Sequence, residues 1–494
     1  MSLNVQTRYG VVRGIEKDGV SMWRGIPFAK PPVGEMRFRA PEPPTIWSGV
    51  RDATHYGPGG FQVGTSEILK FVGVPPDQQH EDCLTLNIWS PAADTRRRPV
   101  FVWIYGGSFN KGGGSLPIYD GTSFAQHGDI VVVTFNYRVG PFGFLYLNHL
   151  GGKDYEGSGN AGLLDQVALL AWVHDNIANF GGDRDRVTVA GESAGAISIN
   201  ALLSMPRTRH LFQQAILQSG VGLPWHRAKT AEQITQQLLD RLGIPSDIDK
   251  LNRLPALEIL RAGKDLPWAP VQDESVLTRS CWPAVAPADR NISVMVGYNR
   301  HEFRYFMNPE WQQLDNASMK KQFESTLAGP IDPEAAEFFL DRAAGSDLYA
   351  GLAELATSKL FMSPVHLFAA RQARHDPVWV YRFDWESTTH GRHLKACHAL
   401  ELPFVFNTLN VPGVREFTGE TPQQQQLAQL IHNAWISFVR TGNPNTEEFP
   451  LWPSYAAPDR ACLIFDSDIH VEKDPDRTNR TFWEMLWQRT TNSW

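Results

Sequence analysis

Short apolar runs, each suited in length to one strand, recur along the chain. They lie at residues 100–105, 130–135, 187–189, 292–296 and 378–383. Runs without polar alternation are typical of parallel strands that are buried on both faces. Residues 161–180 and 196–205, between these runs, and residues 424–440, after the last of them, repeat apolar positions at helical spacing. This alternation predicts an α/β fold with a mostly parallel, doubly wound central sheet flanked by helices.

Three other segments have different patterns. Residues 1–60 mix short alternating runs with glycine and proline, which predicts small antiparallel strands at one edge of the sheet. Residues 228–290 and 309–375 are mostly helical and amphipathic, and they contain no strand run of comparable strength. We therefore expect a single domain over residues 1–494, into which these two segments are inserted as a helical cap.

Residues 187–206 carry the main chemical signal. An apolar strand reaches G-E-S-A-G at 191–195, and the helical run behind it ends at Pro206. In a sharp strand-to-helix turn, flanking glycines leave room for the backbone and the Ser193 hydroxyl is lifted above the sheet. The N–H groups of the helix would stabilise an oxyanion there. The pattern predicts a nucleophilic serine, although glycines at such a junction also serve packing alone.

A glycine-rich loop, GGSFNKGGG at 106–114, follows the apolar run 100–105. Loops at the carboxyl ends of central strands are where open α/β sheets bind ligands. The exposed N–H groups of this loop would suit a phosphate or an oxyanion. Phosphate-binding loops carry GK[ST] or GxGxxG, and neither pattern is present, so the oxyanion interpretation is favoured.

A reactive serine requires a histidine base and a carboxylate that orients the histidine. On this fold the three residues follow in the order Ser, Asp or Glu, His. Glu302, in the loop after the fourth apolar run, has the required position, although a loop glutamate can also be simply solvated. His390, His393 and His398 all follow the last apolar run. The residues alone leave the choice among these three histidines open.

Composition narrows the class of protein. Apolar residues make up 42% and charged residues 20% of the chain, with a formal net charge of −7, so a nucleic-acid partner is not expected. No segment has the apolar length that a membrane span requires, and the first residues lack an apolar signal core. Cys83, Cys281, Cys397 and Cys462 are far apart, which favours reduced thiols. A cytoplasmic enzyme, or one from which a leader has been removed, is expected.

Longer motifs identify a resemblance to a known family. They occur in the order GIPFAKPPVGEMRF, EDCLTLNIWSP, VWIYGGSFNKG, NYRVGPFGFL, NIANFGGDRDRVTVAGESAG, AILQSG, GYNRHEF and KACHALELPFVF. Over nearly its whole length the chain resembles the type B carboxylesterases, the serine esterase group that includes bacterial p-nitrobenzyl esterases, animal carboxylesterases and cholinesterases. The resemblance implies the α/β-hydrolase fold.

The resemblance also implies roles for particular residues. Ser193 is the nucleophile, Glu302 the acid and His398 the base, which selects His398 from the three candidates. Ser219, in LQSG, matches a serine that supports the acid and the base through hydrogen bonds. The oxyanion hole corresponds to three backbone N–H groups, those of Gly107, Ser108 and Ala194.

The chain departs from the family pattern in three places. Ser108 replaces a third glycine, and because only its N–H group is required, we expect the oxyanion hole to survive with a narrower pocket. Residues 59–61 stand where the family has a cysteine upstream of Cys83, which removes the family's first disulfide. Residues 62–82 contain no tryptophan to bind a quaternary ammonium group, so choline esters are not expected substrates.

The expected activity is hydrolysis of small to medium carboxylic esters, with aryl or alkyl alcohol groups, through an acyl-enzyme. No metal, organic cofactor, nucleic acid or membrane partner is implied, and the chain is expected to be a monomer or a weak homo-oligomer. Hydrolysis of carbamates or lactones at the same site is the nearer alternative, and a catalytically silent binding protein on the same fold is the more distant one. Trp268 either lines the acyl pocket or belongs to the core.

Overall fold

A computed structural model describes residues 3–64, 74–222, 225–278, 291–327, 329–341 and 347–491. The strands of these residues are β1 (Asn4–Thr7), β2 (Gly10–Arg13), β3 (Ile15–Lys17), β4 (Val20–Pro27), β5 (Val50–Asp52), β6 (Thr85–Ser90), β7 (Arg98–Ile104), β8 (Val131–Phe135), β9 (Gly182–Glu192), β10 (Gln214–Gln218), β11 (His226–Arg227), β12 (Val271–Gln272), β13 (Ser293–Asn299), β14 (Val378–Phe383), β15 (Ala461–Phe465) and β16 (His470–Lys473). The α-helices are α1 (Thr122–Gly128), α2 (Gly140–Phe144), α3 (Asn148–Gly151), α4 (Ala161–Asn176), α5 (Ala194–Ser204), α6 (Ala228–Leu242), α7 (Ile248–Arg253), α8 (Ala256–Ala262), α9 (Asn316–Thr326), α10 (Pro333–Ala336), α11 (Leu348–Thr357), α12 (Ser363–Gln372), α13 (Leu402–Val405), α14 (Arg415–Thr418), α15 (Pro422–Thr441) and α16 (Arg477–Thr491).

Eleven of the described strands form one mixed sheet. Its strand order is β16-β15-β14-β13-β10-β9-β7-β8-β6-β4-β3. The strands from β15 to β8 pair in parallel, and antiparallel pairs lie at both ends of the sheet. This parallel centre, with helices between the strands, is the predicted α/β architecture.

The uninterrupted apolar runs in the sequence have a direct structural cause. Strands β7, β8 and β14 are buried at every residue, because helices such as α15, α1 and α12 pack on the sheet. The N-terminal segment instead forms the small sheet β1-β2-β5 and the edge strands β3 and β4. The antiparallel edge predicted for residues 1–60 is therefore present.

Some elements extend beyond the apolar runs that predicted them. Strand β9 begins at Gly182 rather than at residue 187, because Gly182 pairs with Arg98 of β7. Strand β13 continues to Asn299, where it pairs with Phe383 of β14. The loop that carries Glu302 is consequently shorter than the sequence suggested.

Both predicted insertions contain helices, and the first also contains the short strand β12. Helices α6, α7 and α8 lie in the first insertion, and α9 to α12 lie in the second. Residues 279–290 of the first insertion, including Cys281, lie outside the described residues, as do residues 328 and 342–346 of the second. Within the described ranges, no helix combines the length and the apolar character that crossing a membrane demands.

The turn between β9 and α5 consists of one residue, Ser193. Its φ of 54° and ψ of −122° are unusual for a residue with a side chain. A Cβ atom on Gly195 would lie 1.9 Å from the Ile104 carbonyl oxygen, and one on Gly191 would lie 2.6 Å from the same atom. Both glycines are therefore required because the turn packs directly against the end of β7.

Candidate active site

Ser193 lies at the carboxyl edge of the sheet with its side chain partly exposed. Its backbone N–H donates to the Gln218 carbonyl oxygen at 2.9 Å, and its own carbonyl oxygen accepts from the Ile197 N–H at 3.0 Å. These bonds fix the turn from both sides. No hydrogen bond to His398, or to any other described residue, holds the Ser193 hydroxyl.

Glu302 and His398 form a buried pair at the same edge. The Glu302 carboxylate is completely buried, and its Oε2 atom lies 2.7 Å from His398 Nδ1. The Asn299 N–H donates to Glu302 Oε1 at 2.8 Å, and the His398 N–H donates to the Glu302 carbonyl oxygen at 3.2 Å. The carboxylate is thus fixed by a backbone N–H group as well as by the imidazole, and the two residues are also joined through their backbones.

The other two candidate histidines lie apart from this pair. His390 is exposed, and His393 Nδ1 lies 2.8 Å from the His390 carbonyl oxygen. Among the described contacts neither ring approaches Glu302. The structure therefore brings His398 alone, of the three, to the acid.

Glu192, which the sequence pattern did not single out, also faces the imidazole. Its Oε1 atom lies 3.0 Å from His398 Nε2, and its side chain is buried. The contact is an ion pair rather than a hydrogen bond, because Glu192 Oε1 has no partner in hydrogen-bond geometry among the described residues. A charged residue directly before the serine, just after the apolar run 187–189, was the available signal.

The two carboxylates change the acid–base properties of the site. Burial lowers the pKa of His398, but the negative charges of Glu192 and Glu302 outweigh this effect and raise the pKa to about 9. Burial raises the pKa of Glu192 to about 8, against the opposing charge of His398. The imidazolium form of His398 is therefore strongly stabilised at this site.

A third buried glutamate, Glu401, lies behind the pair. It accepts hydrogen bonds from Gln218 Nε2 at 2.9 Å and from Asn299 Nδ2 at 2.6 Å. Burial raises the pKa of Glu401, and the nearby charge of Glu302 adds to the increase. Gln218 also accepts from the Ser193 N–H through its backbone, so a continuous polar network runs from the serine turn to the acid.

Ser219 does not make the hydrogen bonds expected of it. Its Oγ atom is buried and has no hydrogen-bond partner among the described residues. Its backbone N–H donates to the Gly297 carbonyl oxygen at 2.9 Å, with a positive φ of 51°. The neighbouring Gln218, not Ser219, is the residue that contacts Glu401.

The glycine-rich loop rests against the serine turn. A Cβ atom on Gly106 would lie 2.7 Å from Glu192 Oε2 and 3.0 Å from the Ser193 Cβ atom. Gly107 has a φ of 116°, and Ser108 has a φ of 55° with an exposed side chain. These dihedral angles turn the loop back beside the serine.

The third predicted oxyanion-hole donor belongs to helix α5. Ala194 is the first residue of that helix, so its N–H group has no acceptor within the helix. The helix dipole makes this end electropositive. The glycine-rich loop and the first turn of α5 therefore both lie beside Ser193.

Aromatic rings enclose the imidazole. The ring centroids of Phe306 and Phe361 each lie 5.2 Å from that of His398, and that of Tyr305 lies at 6.1 Å. Trp268 is buried, and its Nε1 atom donates to the Gly263 carbonyl oxygen at 2.9 Å. The apolar wall beside His398 therefore comes from the Phe306, Phe361 and Tyr305 rings.

The described residues contain no cluster of histidine, cysteine, aspartate or glutamate side chains that could hold a metal ion. Cys83, Cys397 and Cys462 are buried free thiols. Burial raises the pKa of each thiol well above its ordinary value. None of the three is therefore a ready nucleophile.

The parallel-centred sheet, with a serine at a one-residue turn and an acid and a histidine after later strands, defines an α/β-hydrolase. A comparison with protein-family models matches residues 1–483 to the carboxylesterase family. The chain is 41% identical over 494 residues to a para-nitrobenzyl esterase of Bacillus subtilis (strain 168), covering 96% of this chain and 97% of that protein. It is 38% identical over 490 residues to a phenmedipham hydrolase of Pseudarthrobacter oxydans, covering 95% of this chain and 96% of that protein.

Solved structures agree with these relationships. The crystal structure of a Geobacillus stearothermophilus carboxylesterase at pH 6.2 superposes with a TM-score of 0.87 at 42% identity, covering 97% of this chain and all of that one. A solved PNB esterase superposes with a TM-score of 0.84 at 38% identity. The chain therefore belongs to the carboxylesterase family, and it is a hydrolase of carboxylic esters.

Proposed function

We propose that Ser193, His398 and Glu302 are the nucleophile, the general base and the orienting acid of a two-step acyl transfer. The buried 2.7 Å contact between Glu302 and His398, at the sheet edge where the strained Ser193 turn lies, carries this assignment. A carboxylate at Nδ1 leaves Nε2 as the atom that exchanges protons with the serine. Catalytic hydrogen bonds, such as one between Ser193 and His398, are often long in the absence of substrate and shorten only when it is bound.

In the first step, Ser193 Oγ attacks the ester carbonyl carbon while His398 Nε2 takes the hydroxyl proton. The carbonyl oxygen becomes an oxyanion, which the N–H groups of Gly107, Ser108 and Ala194 stabilise. The bond to the alcohol oxygen then breaks, and His398 returns the proton to that oxygen. Water activated by His398 releases the carboxylic acid in the second step and regenerates the Ser193 hydroxyl.

In this mechanism, Glu192 stabilises the protonated, positively charged form of His398. When His398 accepts the serine proton, its positive charge lies between the carboxylates of Glu192 and Glu302. A buried imidazolium would otherwise be costly. Glu192 therefore lowers the energy of the state that precedes departure of the alcohol.

The preferred substrates are small to medium esters with aryl or alkyl alcohol groups. The Phe306 and Phe361 rings beside His398 provide an apolar surface on which such groups pack. Similarity to a para-nitrobenzyl esterase supports the aryl preference. No observation specifically favours carbamates or lactones.

The broader organisation of the protein is also part of this proposal. Phe361, from the second insertion, contacts the His398 ring, which supports a single domain in which residues 228–290 and 309–375 cap the site. The free thiols of Cys83, Cys397 and Cys462 support a reducing, cytoplasmic location. We also propose that the protein is a monomer or a weak homo-oligomer.

Replacing the nucleophile tests the assignment. Ser193→Ala should lower kcat for p-nitrophenyl acetate by about 10⁴-fold or more, because the acyl-enzyme cannot form. Ser204→Ala, at the far end of helix α5, is the matched control and should keep near wild-type turnover. Circular dichroism establishes that both variants are folded. A folded Ser193→Ala variant with wild-type kcat would refute the proposed mechanism.

A further inference from the structure

A polar cavity of about 470 Å³ lies beside the segment that carries Glu302. None of the three proposed catalytic residues lines it. Its basic side chains come from both sides of Glu302 in the chain and from β14 and the loop after it: Arg300, His301, Arg304, Arg382 and Lys395. The cavity is therefore separate from the candidate active site but shares its supporting backbone.

Arg304 is a buried cation that has no anionic partner among the described residues. It is only 6% exposed, and no carboxylate of the described residues lies within 4 Å of its guanidinium nitrogens. Its Nε atom has no hydrogen-bond partner in the described chain, and its guanidinium lies over the Tyr349 ring at 4.8 Å. The guanidinium of Arg304 therefore carries a charge for which the described residues provide no carboxylate counterion.

The other cations of the wall have partners of their own. Arg382 forms a two-point contact with Asp384, at 2.6 and 2.7 Å, and Arg300 approaches the same carboxylate at 3.1 Å. Lys395 Nζ lies 3.9 Å from Glu386, a loose ion pair. Within the described ranges, Arg304 therefore differs from Arg382, Arg300 and Lys395 in having no carboxylate partner.

The acidic side chains that line the cavity have hydrogen-bond or ion-pair partners other than Arg304. Asp476 pairs with Arg382 at 3.2 Å and accepts a short hydrogen bond from the Tyr298 hydroxyl. Glu354 and Glu472 contact Asn479 and His470, respectively. None of these carboxylates is an ion-pair partner of Arg304 within the described residues.

His301, which also lines the cavity, has a ring nitrogen without a hydrogen-bond partner among the described residues. This nitrogen, Nδ1, is buried. Burial lowers the pKa of His301 to about 3, and the positive charges of Lys395, Arg300 and Arg304 contribute further. The ring is therefore neutral, and it can donate one N–H without adding charge.

We propose that this cavity binds one small oxyanion, a carboxylate or a phosphate, with Arg304 as the principal ligand and His301 and Lys395 beside it. The planar fork of a guanidinium matches two oxygens of either group. The anion would supply the negative charge that Arg304 does not receive from the described part of the chain. This site does not depend on the proposed ester chemistry, since it uses none of the catalytic residues.

Calorimetric titration of the full chain tests the proposal with two probes, inorganic phosphate and acetate. Ionic strength is held constant with chloride, so that general screening does not register as binding. We expect one anion per chain for the wild type. Arg304→Gln should weaken the affinity at least tenfold, whereas Arg374→Gln should not, because Arg374 is exposed and lies outside the cavity.

Each outcome decides the proposal. Binding that is lost in Arg304→Gln and kept in Arg374→Gln supports it. The probe that binds more tightly then shows whether the site prefers a phosphate or a carboxylate. Absence of binding for both probes, or equal affinity in wild type and Arg304→Gln, overturns it. If Arg304→Gln does not fold, Lys395→Gln replaces it, because Lys395 is partly exposed. A weakening of about threefold or more then supports the site, and unchanged affinity refutes it.

Discussion

His398 lies between two buried carboxylates, Glu302 at Nδ1 and Glu192 near Nε2. The two contacts have different chemical consequences. The hydrogen bond from Nδ1 fixes the orientation of the ring, whereas the charge near Nε2 stabilises the protonated ring at the atom that receives the serine proton. Glu302 therefore sets the orientation of the base, and Glu192 and Glu302 together set its strength.

Removing the Glu192 charge should move the pH dependence of catalysis. His398 must be neutral to act as a base, so kcat/KM rises with pH through its pKa. Glu192→Gln removes one of the two charges that raise this pKa to about 9, so the pKa falls. The acid limb of kcat/KM should move to lower pH by about one unit or more.

The control for this measurement is Glu416→Gln, which removes the same charge from an exposed glutamate. Its profile should superpose on that of the wild type. An acid limb that stays in place in Glu192→Gln, or that moves to higher pH, would show that Glu192 does not control the base.

The serine turn is the element that sequence reasoning describes best. The spacing of Gly191 and Gly195 around Ser193 reflects contacts with β7 that leave no space for a Cβ atom, and such local constraints are visible in the sequence. The Gln218–Glu401 contact is different, because Gln218 ends β10 and Glu401 follows β14, and the contact depends on only β13 lying between those two strands. Strand order across a sheet leaves no local pattern, so this part of the site was not predicted.

Substituting the second glycine of the turn tests how tightly the elements pack. The Cβ atom of Gly195→Ala would lie 1.9 Å from the Ile104 carbonyl oxygen, so α5 and β7 would have to separate. The free energy of unfolding should fall by about 3 kcal/mol or more. Urea denaturation measures the change.

Gly329→Ala is the matched control, because its Cβ atom would meet nothing within 4 Å. It should change stability by less than about 0.5 kcal/mol. Similar stabilities for the two variants would mean that the contact at Gly195 is not tight.

At the scale of the whole molecule, the candidate site joins segments that are far apart in the sequence. Ser193, Glu302 and His398 each follow a different strand, and the parallel sheet brings the ends of those strands to one edge. The apolar alternation predicted the sheet and its common edge. It did not predict that Ser219 would lack its expected hydrogen bonds, because whether a buried hydroxyl finds a partner depends on packing within about one ångström.

Buried neutral histidines should make the folded molecule sensitive to acid. His366 is completely buried, with the Tyr298 and Tyr455 hydroxyls at 3.3 and 3.2 Å. Burial lowers its pKa from 6.5 to about 4. The unfolded chain therefore binds this proton first, so stability is fully present above pH 6.5 and is lost as pH falls toward 4.

His366→Gln keeps a donor and an acceptor but cannot titrate. Between pH 6.5 and 4, wild type should lose up to roughly 1.4 kcal/mol per pH unit more than this variant. Thermal and urea unfolding across this range measure the difference. Parallel stability curves for the two proteins would show that His366 is not the acid-sensitive group.

The most direct test of the central claim locates the acyl-accepting atom. An organophosphate with a p-nitrophenolate leaving group should transfer one phosphoryl group per chain, with loss of esterase activity in proportion to labelling. Mass spectrometry of the digested protein should place that group on Ser193, and His398→Gln should react far more slowly. Complete inactivation with the label on another residue, and an unmodified Ser193, would contradict the account.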